Sequence, residues 1–136
     1  MSTAKGTRRE QEACEYMQRA GYATYRPATV QFGENDIFGL FDVLAVAPDL
    51  PLRAVQVKSN RAVGRRSWFD HTQLWRAHGF VTELWVCHDH EGWRVIRCDT
   101  DPADGGVRHR VVYDGRDSNA SMGDTLVQWI KDEVGQ

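Results

Sequence analysis

The stretch FDVLAVAPDLPLRAVQVKSN, residues 41–60, decides how this chain folds. Two apolar runs, FGLFDVLAVA (38–47) and LRAVQVKS (52–59), flank PDLP, a turn signal with two prolines, and both read as buried strands. Yet the first carries Asp42 and the second carries Gln56 and Lys58. A buried unpaired charge costs several kcal/mol or is neutralised, so something must offset these groups, and a metal ion would do so. Residues two apart in a strand share a face, so Gln56 and Lys58 project together. If the hairpin pairs the two strands, Asp42 stands beside both. A carboxylate, an amide oxygen and an ammonium in one patch outline a hydrolytic site. The acid binds a hard cation such as Mg²⁺, while the lysine holds or activates a water and balances charge on a phosphate.

Upstream, TRREQEACEYMQRAGY reads as a helix through Ala13, Met17 and Ala20, with Thr7 as its cap and Gly21 as its stop. YATYRPA follows as a short strand, then TVQFGEND as a loop or hairpin. Downstream, NRAVGRR is a polar connection and SWFDHTQLWRAHGF a second helix, capped by Ser67, with Trp68, Leu74 and Trp75 on its apolar side. TELWVCHD and GWRVIRCD form a hairpin through HEG. VRHRVVY is an edge-strand candidate, and GDTLVQWIKDEV ends the chain as an amphipathic helix. The order helix, three strands, helix, two strands predicts an α/β fold with a central mixed sheet flanked by helices.

The 136 residues fit one domain, 1–136. Three cysteines without paired spacing, and no secretory leader, predict a reducing, cytoplasmic setting, and no apolar run is long enough for a membrane span. The net charge of -2 excludes a general coat of positive potential. Its distribution is uneven: Arg53, Lys58, Arg61, Arg65, Arg66 and Arg76 face only Asp70, whereas the segment from Asp99 onward is acidic. Such a basic middle can hold a polyanion locally.

A strand acid followed by acid-x-Lys in the next strand is the signature of the PD-(D/E)xK nucleases, and FD…QVK resembles a variant of it. KGTRREQE, AGYATYR and GWRVIR are similar, in the same order, to segments of the archaeal-type Holliday junction resolvases. The resemblance spans roughly residues 5–98 and leaves 99–136 as a C-terminal extension. It implies a restriction-endonuclease-like fold with an αβββαββ core, and a Mg²⁺-dependent endonuclease, with Mn²⁺ as a substitute. The implied substrate is a four-way DNA junction and the implied assembly a symmetric homodimer, since two nicks need two sites about a two-fold. Small resolvases of this kind suit phage or mobile-element recombination.

By that resemblance Glu10 is the helix carboxylate, Asp42 the strand acid, Lys58 the lysine, and Arg26 a phosphate contact. Gln56 departs from the pattern, standing where an acid is usual. The amide still offers oxygen but removes a negative charge, which weakens metal binding. Asp36 replaces that charge if residues 36–42 stay extended, with Glu34 as a second choice and Glu12 as a substitute for Glu10. Ser59, Arg61, Arg65 and Arg66 are further candidates for the DNA backbone.

Blander readings stand beside these. Asp42 is then an acid satisfied by backbone or by an ion pair, Lys58 a snorkelling lysine, and the glutamates of the first helix a solvated face. The rival functions are a nuclease fold that binds DNA or protein without cutting, with Gln56 as the mark of decay, and a repair or restriction nuclease. CHDH, with Cys87, His88, His90 and Cys98, lacks a paired zinc knuckle, so His88 and His90 read as exposed hairpin-tip residues. Trp68, Trp75, Trp85 and Trp93 read as core or subunit interface.

Overall fold

The computed structural model describes residues 4–27, 37–61, 65–100, 103–116 and 123–134. Helix α1 (Ala4–Arg19) begins three residues before Thr7, which therefore lies inside the helix and does not cap it. Its buried Ala13, Met17 and, just beyond its end, Ala20 keep the expected spacing. Its stop is a Schellman turn: Gly21 takes a φ of 103°, its N–H donates to Gln18 O, and Tyr22 N–H donates to Met17 O.

A single six-stranded sheet follows, with its strands in chain order: β1 (Ala23–Tyr25), β2 (Val43–Val46), β3 (Arg53–Ser59), β4 (Val81–His88), β5 (Gly92–Thr100) and β6 (Val107–Asp114). Only β3 and β4 run parallel. A parallel pair needs a crossover, and α2 (Arg65–His71) with α3 (Gln73–Ala77) supplies it. Helix α4 (Asp124–Val134) closes the chain. This is the mixed sheet flanked by helices that the αβββαββ order predicts, extended by β6 and α4. Among the described residues no helix is long and apolar enough to cross a membrane.

The two sheet faces carry separate cores. Val43, Ala45, Val55, Trp85, Cys87, Trp93 and Val95 pack with Met17 of α1 and with Leu126, Val127 and Ile130 of α4. On the other face Leu84, Val86, Ile96 and Cys98 pack with Phe69, bordered by Trp68.

The crossover departs from the predicted single helix. It starts at Arg65, so Ser67 lies within α2, and it breaks at Thr72, whose hydroxyl donates to Phe69 O at 2.8 Å. A hydroxyl bonded back to that carbonyl competes with the helical ladder. Leu74, expected on the apolar side, is 60% exposed. His88 is buried rather than exposed, because it ends β4 before the hairpin turns.

The basic middle is also smaller than its residue count. Arg53 is buried and Arg76 is turned inward onto Phe69 O and the Thr72 hydroxyl. Arg53 joins a buried ionic group with Glu83, Arg97 and Glu133 that fastens α4 to the sheet. Arg97 Nη2 lies 3.0 Å from both Glu133 oxygens and Arg53 Nη2 lies 2.7 Å from one. Burial by itself would raise the Glu133 carboxyl, but hydrogen bonds from Arg97 and Arg53 outweigh it and hold the group below its ordinary value. A folded-state pKa below the unfolded one stabilises above the unfolded pKa, near ~4.3, and the gain disappears as pH falls through the folded value. Glu133→Gln should therefore lower Tm at pH 6, with the gap to wild type closing below about pH 4. Thermal melts across pH check this; a gap that persists in acid would count against it.

Candidate active site at the end of the β3–β4 pair

Val43 pairs with Val55, the last regular pair of β2 and β3 on the Asp42 side. Asp42 stands just before β2. Its N–H donates to Val55 O at 2.8 Å and its Oδ2 accepts the Val57 N–H at 2.8 Å. That second bond draws the carboxylate to the backbone between Gln56 and Lys58. Val43, Val55 and Val57 belong to the α1 side, so strand alternation puts Gln56 and Lys58 on the α2 side; Asp42 stands where alternation breaks, between Phe41 on the α2 side and Val43 on the α1 side, with its carboxylate on the β3 backbone. Gln56 is paired with Leu84 and Lys58 with Val86, both members of the α2-side core. Lys58 is half-buried and has no ion-pair partner among the described residues. In open α/β sheets ligands bind beyond the carboxyl ends of parallel strands, and Lys58 is one residue from that end of β3.

The strand end is anchored by residues that sequence reasoning did not single out. Asn60 adopts a φ of 65°, and its N–H donates to Cys87 O at 2.8 Å. Its side chain accepts the Asp89 N–H at 2.9 Å and donates to Asp89 Oδ2 at 3.1 Å. Asp89 in turn meets Arg9 of α1 at 3.1 Å, and Arg9 holds Glu12 at 3.0 Å. A chain from α1 to the β4–β5 turn thus fixes the backbone just past Lys58. Asn at a strand end was the available signal, since its short amide tolerates the left-handed conformation.

The other candidates are spread around this point. Glu10 and Arg26 are neighbours, with Arg26 Nε 3.6 Å from Glu10 Oε2. Glu12 is engaged by Arg9 and so differs from Glu10 in its partners. Ser59 ends β3 half-buried and its carbonyl accepts the Arg61 N–H at 2.8 Å, leaving Arg61 exposed. Arg65 opens α2 and Arg66 follows it, exposed. Asp36 and Glu34 lie outside the described residues.

Residues 37–41 are not extended. Ile37 and Phe41 exchange hydrogen bonds at 2.7 and 3.0 Å around a turn in which Phe38 (φ 58°) and Gly39 (φ 70°) are left-handed. The run expected from 38 to 47 is a strand only over Val43–Val46, so the parity count that set Asp36 on the face of Asp42 does not hold. Phe41 is buried between Trp68 and Trp75, whereas Phe38 is 64% exposed. A left-handed bulky residue costs on the order of 1–3 kcal/mol and persists only where its surroundings dictate it. The outer face of β2 is also open, with Val46 47% exposed, so this strand is covered on one face only.

Among the described residues no three His, Cys, Asp or Glu side chains stand close enough to hold a metal ion. What this strand end offers is one carboxylate and one amide oxygen. These are hard donors, suited to an ion such as Mg²⁺ that keeps several of its waters.

No protein-family model and no curated protein matches the chain. Among solved structures it is similar to Archaeoglobus fulgidus Hjc, a Holliday junction resolvase from an archaeal hyperthermophile, at 20% identity and a TM-score of 0.48, over 66% of this chain and 74% of that one. At this overlap the functional reading rests on the chain's own residues.

Proposed function

We propose that this chain is a metal-dependent DNA endonuclease of the PD-(D/E)xK kind, acting on four-way junctions as a symmetric homodimer. The observation that carries the reading is the Asp42 carboxylate on the Val57 N–H, the backbone group between Gln56 and Lys58. Asp42 and Gln56 would hold Mg²⁺ or Mn²⁺; Glu10 belongs to α1, which packs on the other face from Gln56, and the turn at 37–41 removes the extended run that aligned Asp36 with Asp42. The bound ion supplies positive charge against the phosphate and a more acidic water. Lys58 donates to the attacking water or to a phosphate oxygen, and its ammonium balances the charge that grows there. Ser59, Arg61, Arg65 and Arg66 follow in the same direction along the chain and place the DNA backbone, as Arg26 does once released from Glu10. The buried thiols of Cys14, Cys87 and Cys98, none of them in a disulfide, suit a reducing cytoplasm.

Binding without cutting is the second reading, favoured by the neutral Gln56 and by the pairing of Glu10 with Arg26. Incubation of a labelled four-way junction and a matched linear duplex with and without Mg²⁺ or Mn²⁺ separates the two. Symmetric metal-dependent nicks in the junction support the endonuclease, and equal cutting of plain duplex points to another nuclease specificity. Tight junction binding with no cut under either metal supports the binder. Gln56→Glu should restore a second negative charge and lower the Mg²⁺ concentration for half-maximal cleavage by roughly tenfold, as ligand charge count tunes hard-cation affinity over decades. A Mg²⁺ titration of cleavage rates reads this directly; an unchanged midpoint would remove Gln56 from the metal site.

A further inference from the structure

We propose that Phe38 is a stacking platform for an unstacked base of the DNA substrate, an inference that rests on the endonuclease reading and specifies how a branch would be recognised. Phe38 is the most exposed large apolar side chain in the described structure, at 64%, although its left-handed backbone would suit glycine or asparagine. Burial does not account for a phenylalanine there.

The ring is held outward on a stiff support. The turn beneath it is closed by both hydrogen bonds between Ile37 and Phe41, and Trp68 Nε1 donates to Leu40 O at 2.8 Å. Phe38 leans on Trp75 at 5.3 Å between ring centroids, Trp75 on Phe41 at 5.8 Å, and Phe41 on Trp68 at 5.8 Å. One face of the ring is thus supported while the side chain remains open to solvent. Phenylalanine has no polar handle, so what it offers a nucleic acid is a π-face for a base rather than a donor for a phosphate.

The platform is beside the proposed chemistry. The turn that carries Phe38 closes at Phe41, and Asp42 is the next residue, so Phe38 and Asp42 are at most ~14 Å apart along the chain. Exposed Arg61, just beyond the end of β3, carries charge suited to a phosphate. In uninterrupted duplex the bases are already stacked on each other. A branch point offers unstacked ones, so this ring discriminates branched from linear DNA.

The test uses a four-way junction with 2-aminopurine at the branch and a matched linear duplex, titrated in EDTA so that cutting plays no part. Wild type should bind the junction with a fall in 2-aminopurine fluorescence, as the unstacked base stacks on the ring. Phe38→Ala should lose the fall and weaken junction binding by roughly five- to a hundredfold with duplex binding unchanged, and Phe38→Trp should restore both. Phe38→Asn should raise Tm by relieving the backbone while still losing the fall, which a structural role would not do. Unchanged junction binding by Phe38→Ala and Phe38→Asn overturns the proposal. So does a shift of either variant from dimer to monomer by sedimentation, which would make the ring a subunit contact. A wild type that binds the junction as proposed but cuts nothing with Mg²⁺ or Mn²⁺ overturns the endonuclease reading alone, and one that binds no DNA overturns both.

Discussion

Glu83→Ala should remove about 3–5 kcal/mol of stability, a large share of the 5–15 kcal/mol typical of a domain, and bring a matching fall in the urea midpoint. Glu83 is fully buried. Its Oε1 accepts Arg53 Nη1 at 3.0 Å and Trp85 Nε1 at 3.0 Å, and its Oε2 accepts Arg97 Nε at 2.8 Å. Burial alone would lower the Arg53 pKa, but the charge of Glu83, with Glu133 behind it, raises it instead. Truncation leaves an indole donor without an acceptor and a buried guanidinium with one carboxylate where it had two. The second cost dominates, because a buried charge stripped of its partner is far more expensive than a lost neutral hydrogen bond. Glu133 is 29% exposed in its side chain, so water can replace it and Glu133→Gln should cost much less. Urea unfolding of the two variants ranks them. A Glu83→Ala midpoint equal to that of wild type would mean that the group can be dismantled without leaving charge buried.

That ionic group also shows where sequence reading stops. The order of elements was legible, because each depends on local periodicity and on turn residues such as PDLP and Gly21. The common face of Gln56 and Lys58 follows from strand alternation alone. Arg53 and Glu83 are 30 positions apart, and Arg53 and Glu133 are 80 apart. No local pattern joins them, so Arg53 read as part of a DNA-facing basic surface when it is spent inside the fold. The turn at 37–41 was hidden for another reason. Only Gly39 hinted at it, and a left-handed phenylalanine is a choice that no propensity recommends. The Arg9–Asp89–Asn60 link is likewise a contact across three elements, invisible until α1 is laid against the β4–β5 turn.

Asp42→Asn should lower metal-dependent cleavage by at least about a thousandfold while leaving folding and junction binding in EDTA near wild type. The two halves of that result have separate causes. Asparagine keeps an oxygen that can accept the Val57 N–H now bonded to Oδ2, so the link that places residue 42 beside β3 survives. It removes the only negative charge among Asp42, Gln56 and Lys58. Without that charge the three groups present two amides and an ammonium, an arrangement that repels a divalent cation. Lys58→Ala should also suppress cleavage, by roughly a hundredfold or more, but through the chemical step and with a Mg²⁺ midpoint close to wild type. Single-turnover rates measured across Mg²⁺ concentrations tell the two apart. If Asp42→Asn cuts as well as wild type, the carboxylate is an acid satisfied by the Val57 N–H and the metal lies elsewhere. If Asp42→Asn also melts well below wild type, the charge serves the strand rather than the reaction.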